Sequence, residues 1–160
     1  MVEELVNKLI EKKMTIATAE SATGGMIASK IVDVANASNV LKVSFVTYSD
    51  SAKIKYLKVN PKTIEKYSVV SEEVAKEMAL GLKNEAKADV AISITGVAGP
   101  TSYSEDLPVG MICFGFVVVD KVITETKYFG NIGRNNVRKE ATDYAIKRVL
   151  ELLWVKQLKP

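Results

Sequence analysis

At 160 residues, 48% hydrophobic and 26% charged, the chain is long enough to bury a core and too apolar to be disordered. Its 22 basic and 19 acidic residues are scattered and leave a net charge of +3, so no basic stripe marks a nucleic-acid surface. With no histidine and one cysteine, it has no Ser-His-Asp triad, histidine-held zinc, thiolate metal cluster or internal disulfide.

The chain starts MVEELVNKL, without the apolar core of a signal peptide, and its longest apolar run, 111–119, is too short for a bilayer. A cytoplasmic protein that does not engage a membrane is expected. Val2, Leu5, Val6, Leu9 and Ile10 recur at helical spacing and predict an amphipathic first helix ending at Lys12-Lys13. A buried strand follows over 15–19. It runs into the turn Glu20-Ser21-Ala22-Thr23-Gly24-Gly25, from which a helix is expected to run from about Ser21 towards Val34. The β-branched and aromatic segment 43–48 predicts a second strand.

Ser49-Asp50, Asn60-Pro61 and Ser71-Glu72-Glu73 each read as a helix start, opening helices over 51–57, 61–66 and 74–86. Residues 89–95 predict a strand of small residues that stops at Gly96-Val97-Ala98-Gly99-Pro100. The polar segment 101–107 reads as a loop. Residues 109–119 and 122–129 predict an antiparallel hairpin, and a last helix starts near Gly133. The expected architecture is a single domain over 1–160. It is a three-layer α/β/α sandwich with a mixed, mostly parallel sheet of about five strands.

Open α/β sheets bind ligands beyond the carboxyl ends of their strands. Three turns fall at such positions: at Ser21, at Tyr48-Ser49 and at 96–100. Ser21 is a potential nucleophile, or simply the cap of the helix that follows. Without histidine the available bases are lysine, tyrosine and carboxylates. Lys53, at the start of the helix after the second strand, could serve Ser21 as a base if desolvated, or be an ordinary surface lysine. Tyr48 could hold that lysine, relay a proton or donate to an oxyanion, or simply pack on the sheet. Arg134 and Arg138, four apart at the start of the last helix, suit a phosphate or carboxylate, or pair with nearby carboxylates. Cys113 is expected in the core. Glu20 could orient a ligand group or a backbone amide, or pair with a lysine.

Several segments in order resemble one family. T-A-E-S-A-T-G-G (18–25) is similar to the T-A-E-S-C-T-G-G signature of the CinA C-terminal domain family, whose enzymes are nicotinamide-nucleotide (NMN) amidohydrolases. Segments 46–59, 69–79, 88–100, 108–110 and 133–138 match further family motifs, covering nearly the whole chain. The resemblance implies hydrolysis of the carboxamide of NMN to nicotinate mononucleotide and ammonia, in pyridine nucleotide salvage. It implies Ser21 as nucleophile, Lys53 as its base and Tyr48 as an aid to proton transfer. Thr23, Gly24 and Gly25 are expected to supply amides to an oxyanion or phosphate. Thr95, Gly96, Ala98, Gly99 and Pro100, with Arg134 or Arg138, are expected to hold the nucleotide. No metal or cofactor and no nucleic-acid partner is implied, and a homo-oligomer is expected.

The chain departs from the family pattern at three places. Ala22 stands for a cysteine, Asp50 for an asparagine, and Thr101-Ser102 for two glycines. Asp50 is expected to raise the Lys53 pKa. The stiffer 101–102 loop motivates an alternative function: a nucleotide-binding protein of altered or absent activity, linked to competence or DNA damage. A third possibility is an anion-binding structural subunit.

Overall fold

The structure, a computed structural model, describes residues 1–157. The elements run α1 (Val2–Lys12), β1 (Ile16–Glu20), α2 (Met26–Val32), β2 (Phe45–Val46), α3 (Asp50–Leu57), α4 (Pro61–Tyr67), α5 (Glu72–Ala86), β3 (Val90–Gly96), β4 (Met111–Val118), β5 (Lys121–Tyr128) and α6 (Arg134–Gln157). The sheet order is β2-β1-β3-β4-β5. β2, β1 and β3 are parallel, β4 runs against β3, and β5 runs against β4. Four of the five strands therefore point the same way, and the sheet is mixed as expected.

Strand alternation sorts the side chains by size. Ile16, Val90, Ile92, Ile94, Phe114 and Phe116 face one side, where they pack with Leu5, Leu9, Ile27, Ile31, Val137 and Val149 of α1, α2 and α6. Ala17, Ala19 and Ala91 face the other, against Leu57 of α3 and Val74, Met78 and Leu82 of α5. Small residues on this second face let α5 lie close to the sheet, where Ser93 Oγ donates to the Ala75 carbonyl at 2.6 Å. The α3–α5 approach is also tight. A Cβ built on Gly81 of α5 would fall 1.8 Å from the Leu57 carbonyl oxygen, so only glycine permits the contact that fixes α3.

Helix starts at 49–50, 60–61 and 71–72 follow the expected chemistry. Ser49, Asn60 and Ser71 accept from the amides of Ala52, Lys62 and Val74. Some boundaries move. The segment 43–48 keeps only Phe45–Val46 as strand, because it is an edge with one neighbour and parts from β1 beyond Glu20↔Val46. The hairpin turn is Val119-Asp120, one residue earlier than read from sequence, because Val118 pairs with Lys121.

Candidate active site

The parallel arrangement of β1, β2 and β3 brings three chain reversals to one edge of the sheet. Between them lies an open cleft of about 180 Å³ lined by Ser21, Ala22, Tyr48, the 96–99 turn, Thr101–Tyr103 and Arg134.

The turn after β1 is built around Glu20. This residue is fully buried, and its carboxylate accepts five hydrogen bonds. Oε1 takes them from Thr23 Oγ1 (2.7 Å), Gly25 N (3.2 Å) and Ile27 N (2.9 Å); Oε2 takes them from Thr18 Oγ1 (2.9 Å) and Ala28 N (2.9 Å). Positive φ at Gly24 (58°) and Gly25 (103°) curls the chain so that the amides opening α2 point back at this side chain. Glu20 thus takes the place at the helix start that an external anion would occupy.

Of the amides expected at a ligand, those of Gly24 and Gly25 are engaged within the turn itself. The Thr23 hydroxyl and Gly25 amide serve Glu20, and the Gly24 amide donates to the Ser21 carbonyl at 3.0 Å. Neither glycine lines the cleft, which the turn meets through Ser21 and Ala22. The helix itself begins at Met26 and not at Ser21, because five residues are spent on the turn.

Ser21 lies at the cleft floor, with its amide held by the Ile94 carbonyl at 3.2 Å. It does not cap α2. Lys53, one turn into α3, is 1% exposed. Its Nζ stands 3.2 Å from Ser21 Oγ, 2.8 Å from the Thr47 carbonyl and 3.3 Å from the Tyr48 carbonyl. Two carbonyls can accept only protons. A neutral Lys53 amine would direct two N–H groups at them and turn its lone pair towards the Ser21 hydroxyl. Burial lowers the Lys53 pKa below its usual value, and the opposing pull of Asp50 is the smaller effect. Asp50 therefore acts in the expected direction without deciding the outcome. The reading of Lys53 as a surface lysine is excluded by its burial.

Tyr48 presents its ring to solvent at the cleft wall, so it does not pack on the sheet. Its hydroxyl accepts from Arg134 Nη2 at 2.9 Å, which leaves the phenolic proton free to be donated. Arg134 Nη1 donates to the Gly99 carbonyl. One guanidinium thus ties the turn after β2 to the turn after β3, with further N–H groups at the cleft.

Arg138 has a different task. It donates from Nε to the Ala22 carbonyl (2.9 Å), from Nη2 to the Thr23 carbonyl (3.2 Å) and from Nη1 to Asn135 Oδ1 (3.0 Å). It braces the Ser21 turn from behind and does not line the cleft, which corrects its assignment to the nucleotide. Thr95 is likewise corrected: it is 2% exposed and its hydroxyl donates to the Val69 carbonyl at 3.0 Å. Gly96, Ala98 and Gly99 line the cleft, and the neighbouring Pro100 does not.

The sequence reading passed over Tyr103, whose aromatic ring on an otherwise polar loop was the available signal. It is 72% exposed and lines the cleft. Cys113 is buried in the core, where burial raises its thiol pKa. Among the described residues no group of three or more His, Cys, Asp and Glu is disposed to hold a metal ion, and no helix is long and apolar enough to cross a membrane.

Comparison with known proteins agrees over nearly the whole chain. The sequence model of the CinA C-terminal domain matches residues 1–153. A putative competence-damage inducible protein of Alkaliphilus oremlandii is 46% identical over 145 residues, covering 90% of this chain and 35% of that protein. A CinA-like protein of Petrotoga mobilis is 41% identical over 149 residues, covering 93% and 37%. The chain thus spans little more than a third of these curated relatives. Among solved structures, a competence-damaged protein (CinA) superfamily protein of Escherichia coli superposes with a TM-score of 0.90 at 36% identity, covering 94% of this chain and 87% of that one. The competence/damage inducible protein CihA of Agrobacterium tumefaciens gives 0.88 at 32% identity, covering 94% of each. The chain belongs to the CinA C-terminal domain family.

Proposed function

We propose that this chain is an amidohydrolase that converts NMN to nicotinate mononucleotide and ammonia. The observation that carries this reading is the buried Lys53 amine 3.2 Å from the Ser21 hydroxyl at the floor of a polar cleft. Ser21 Oγ attacks the carboxamide carbon while Lys53 Nζ takes its proton. The oxyanion that forms accepts from the Tyr48 hydroxyl and from the Ala22 amide beside the nucleophile. Lys53 returns the proton to the leaving nitrogen, the C–N bond breaks, and ammonia departs from a seryl ester. Water, deprotonated by Lys53, then attacks the ester, and Ser21 leaves with that proton. Arg134, at the cleft wall, holds the substrate phosphate with the N–H groups that Tyr48 and Gly99 do not use.

No metal or cofactor takes part in this scheme. The setting is cytoplasmic pyridine nucleotide salvage by a homo-oligomer. The test is ammonia release from NMN by the purified protein. No release across a pH series, or unchanged release by Ser21→Ala, would sink the mechanism.

One observation favours a second reading. Thr101 and Ser102 line the cleft where the family pattern has glycines, and any side chain there leaves less space for substrate than glycine would. Tight binding of NMN without turnover would mark a nucleotide-binding protein, in keeping with relatives named for competence and damage induction.

A further inference from the structure

The cleft wall is uneven in chemistry. The 96–99 turn offers backbone and small side chains, while Ser21, Thr101, Ser102 and Arg134 offer polar groups. Against this background stand two large aromatic rings. Tyr48 is 61% exposed and Tyr103 is 72% exposed, and neither is in contact with another ring among the described residues. Arg134 pins the Tyr48 hydroxyl at 2.9 Å, so the first ring is held. Tyr103 has no hydrogen-bond partner among the described residues and sits on the loop that departs from the 96–100 turn. The cleft therefore has one anchored aromatic wall and one free one.

Exposed aromatic faces beside a small-molecule cleft are surfaces for a planar ring. They have most to gain from an electron-poor or cationic ring, which is drawn to the negative face of tyrosine. We infer that Tyr103 is a specificity-determining residue, stacking on the N-substituted pyridine ring of the substrate. The inference rests on the amidohydrolase reading for the identity of that ring. It adds a residue on the 101–107 loop as the group that selects a flat heterocycle over other carboxamides. Arg134 handles the phosphate and Ser21 the carboxamide, so the ring between them is the part of the substrate that Tyr103 would recognise.

The experiment is calorimetric titration of the Ser21→Ala protein, in which NMN remains uncleaved. NMN and ribose 5-phosphate are titrated separately into this background and into the same background carrying Tyr103→Phe, Tyr103→Leu or Tyr103→Ala. The expected result is that Phe binds NMN within about twofold of Tyr103, while Leu and Ala lose about tenfold. Ribose 5-phosphate should bind all four alike. Because Tyr103 is exposed, all should melt together. Equal NMN binding by all four, equal losses for NMN and ribose 5-phosphate, or no NMN binding by the Ser21→Ala protein overturns the inference. Binding of NMN that depends on Tyr103, alongside a wild type that releases no ammonia, supports the stacking role and removes the amidohydrolase reading alone.

Discussion

Lys53 Nζ and Ser21 Oγ stand 3.2 Å apart although 32 positions separate them in the chain. Ser21 follows β1, Lys53 lies one turn into the helix after β2, the parallel neighbour of β1, and the amine is closed off from water. Removing Lys53 should therefore stop the chemistry without unfolding the protein. Lys53→Met is expected to lower kcat by about a thousandfold or more. Its thermal midpoint should stay within about 4 °C of wild type, a change of roughly 1 kcal/mol for a domain of this size. Ammonia release and a melting curve on the same preparation check both halves.

The lowered Lys53 pKa sets the direction of the pH profile. In the proposed mechanism the amine is a base only when neutral, so kcat/KM should rise with pH through one ionisation below 10.5. Asp50 raises that pKa, so Asp50→Asn should move the rise to lower pH. Stability follows the same ionisation. Between the folded-state pKa and the unfolded value the unfolded chain binds the extra proton, so this group's contribution to stability grows as pH rises through that window. Urea titrations at several pH values, compared with Lys53→Met, would isolate the effect; a slope of opposite sign would contradict it.

Glu20 predicts a combined loss of stability and activity. Glu20→Gln puts an amide N–H₂ where only acceptors fit, facing backbone N–H donors on α2. The expected cost is about 2–4 kcal/mol, or a midpoint lower by roughly 5–15 °C. At a temperature where the variant is folded, kcat should still fall, since the turn carrying Ser21 loses its anchor. Undiminished kcat would show that the turn holds its shape without the carboxylate.

The two arginines should separate in kinetics. Arg134→Ala is expected to raise KM for NMN about tenfold or more, because it faces the cleft. Arg138→Ala should lower kcat with a smaller effect on KM, because its partners are the Ala22 and Thr23 carbonyls. Full steady-state curves for both variants would distinguish these patterns. Equal KM effects would show that Arg138 also serves the substrate.

Val119 occupies the hairpin turn with φ of 60°, a conformation poorly suited to a β-branched side chain. Val119→Gly should raise stability by about 1 kcal/mol, seen as a higher urea midpoint, with activity unchanged because the turn lies at the opposite end of β4 from the cleft.

Much of the fold could be read from local chemistry. Helix starts were marked by Ser49, Asn60-Pro61 and Ser71, whose side chains cap whatever their surroundings. The small residues of β3 announced a strand covered closely on one face. The Ser21–Lys53 pairing was reachable because the absence of histidine left few bases, and strand-end turns of one direction meet. The two arginines were beyond such reasoning. They share residue type and helix face, and the packing of α6 alone decides that one overlooks the cleft and the other the back of a turn. Glu20 was similarly open, since its direction depends on a two-glycine reversal that no periodicity encodes. Tyr103 lay in a loop without a repeating pattern, where exposure gives it meaning only beside a cleft.

The carboxylate of Glu20 also bears on what a ligand meets when it arrives. Its acceptors are taken up wholly by the protein, by the hydroxyls of Thr18 and Thr23 and the amides of Gly25, Ile27 and Ala28. The turn that carries Ser21 therefore holds its shape with the cleft empty, and a ligand meets a floor set in advance, without the ordering cost that a loose turn would add to binding.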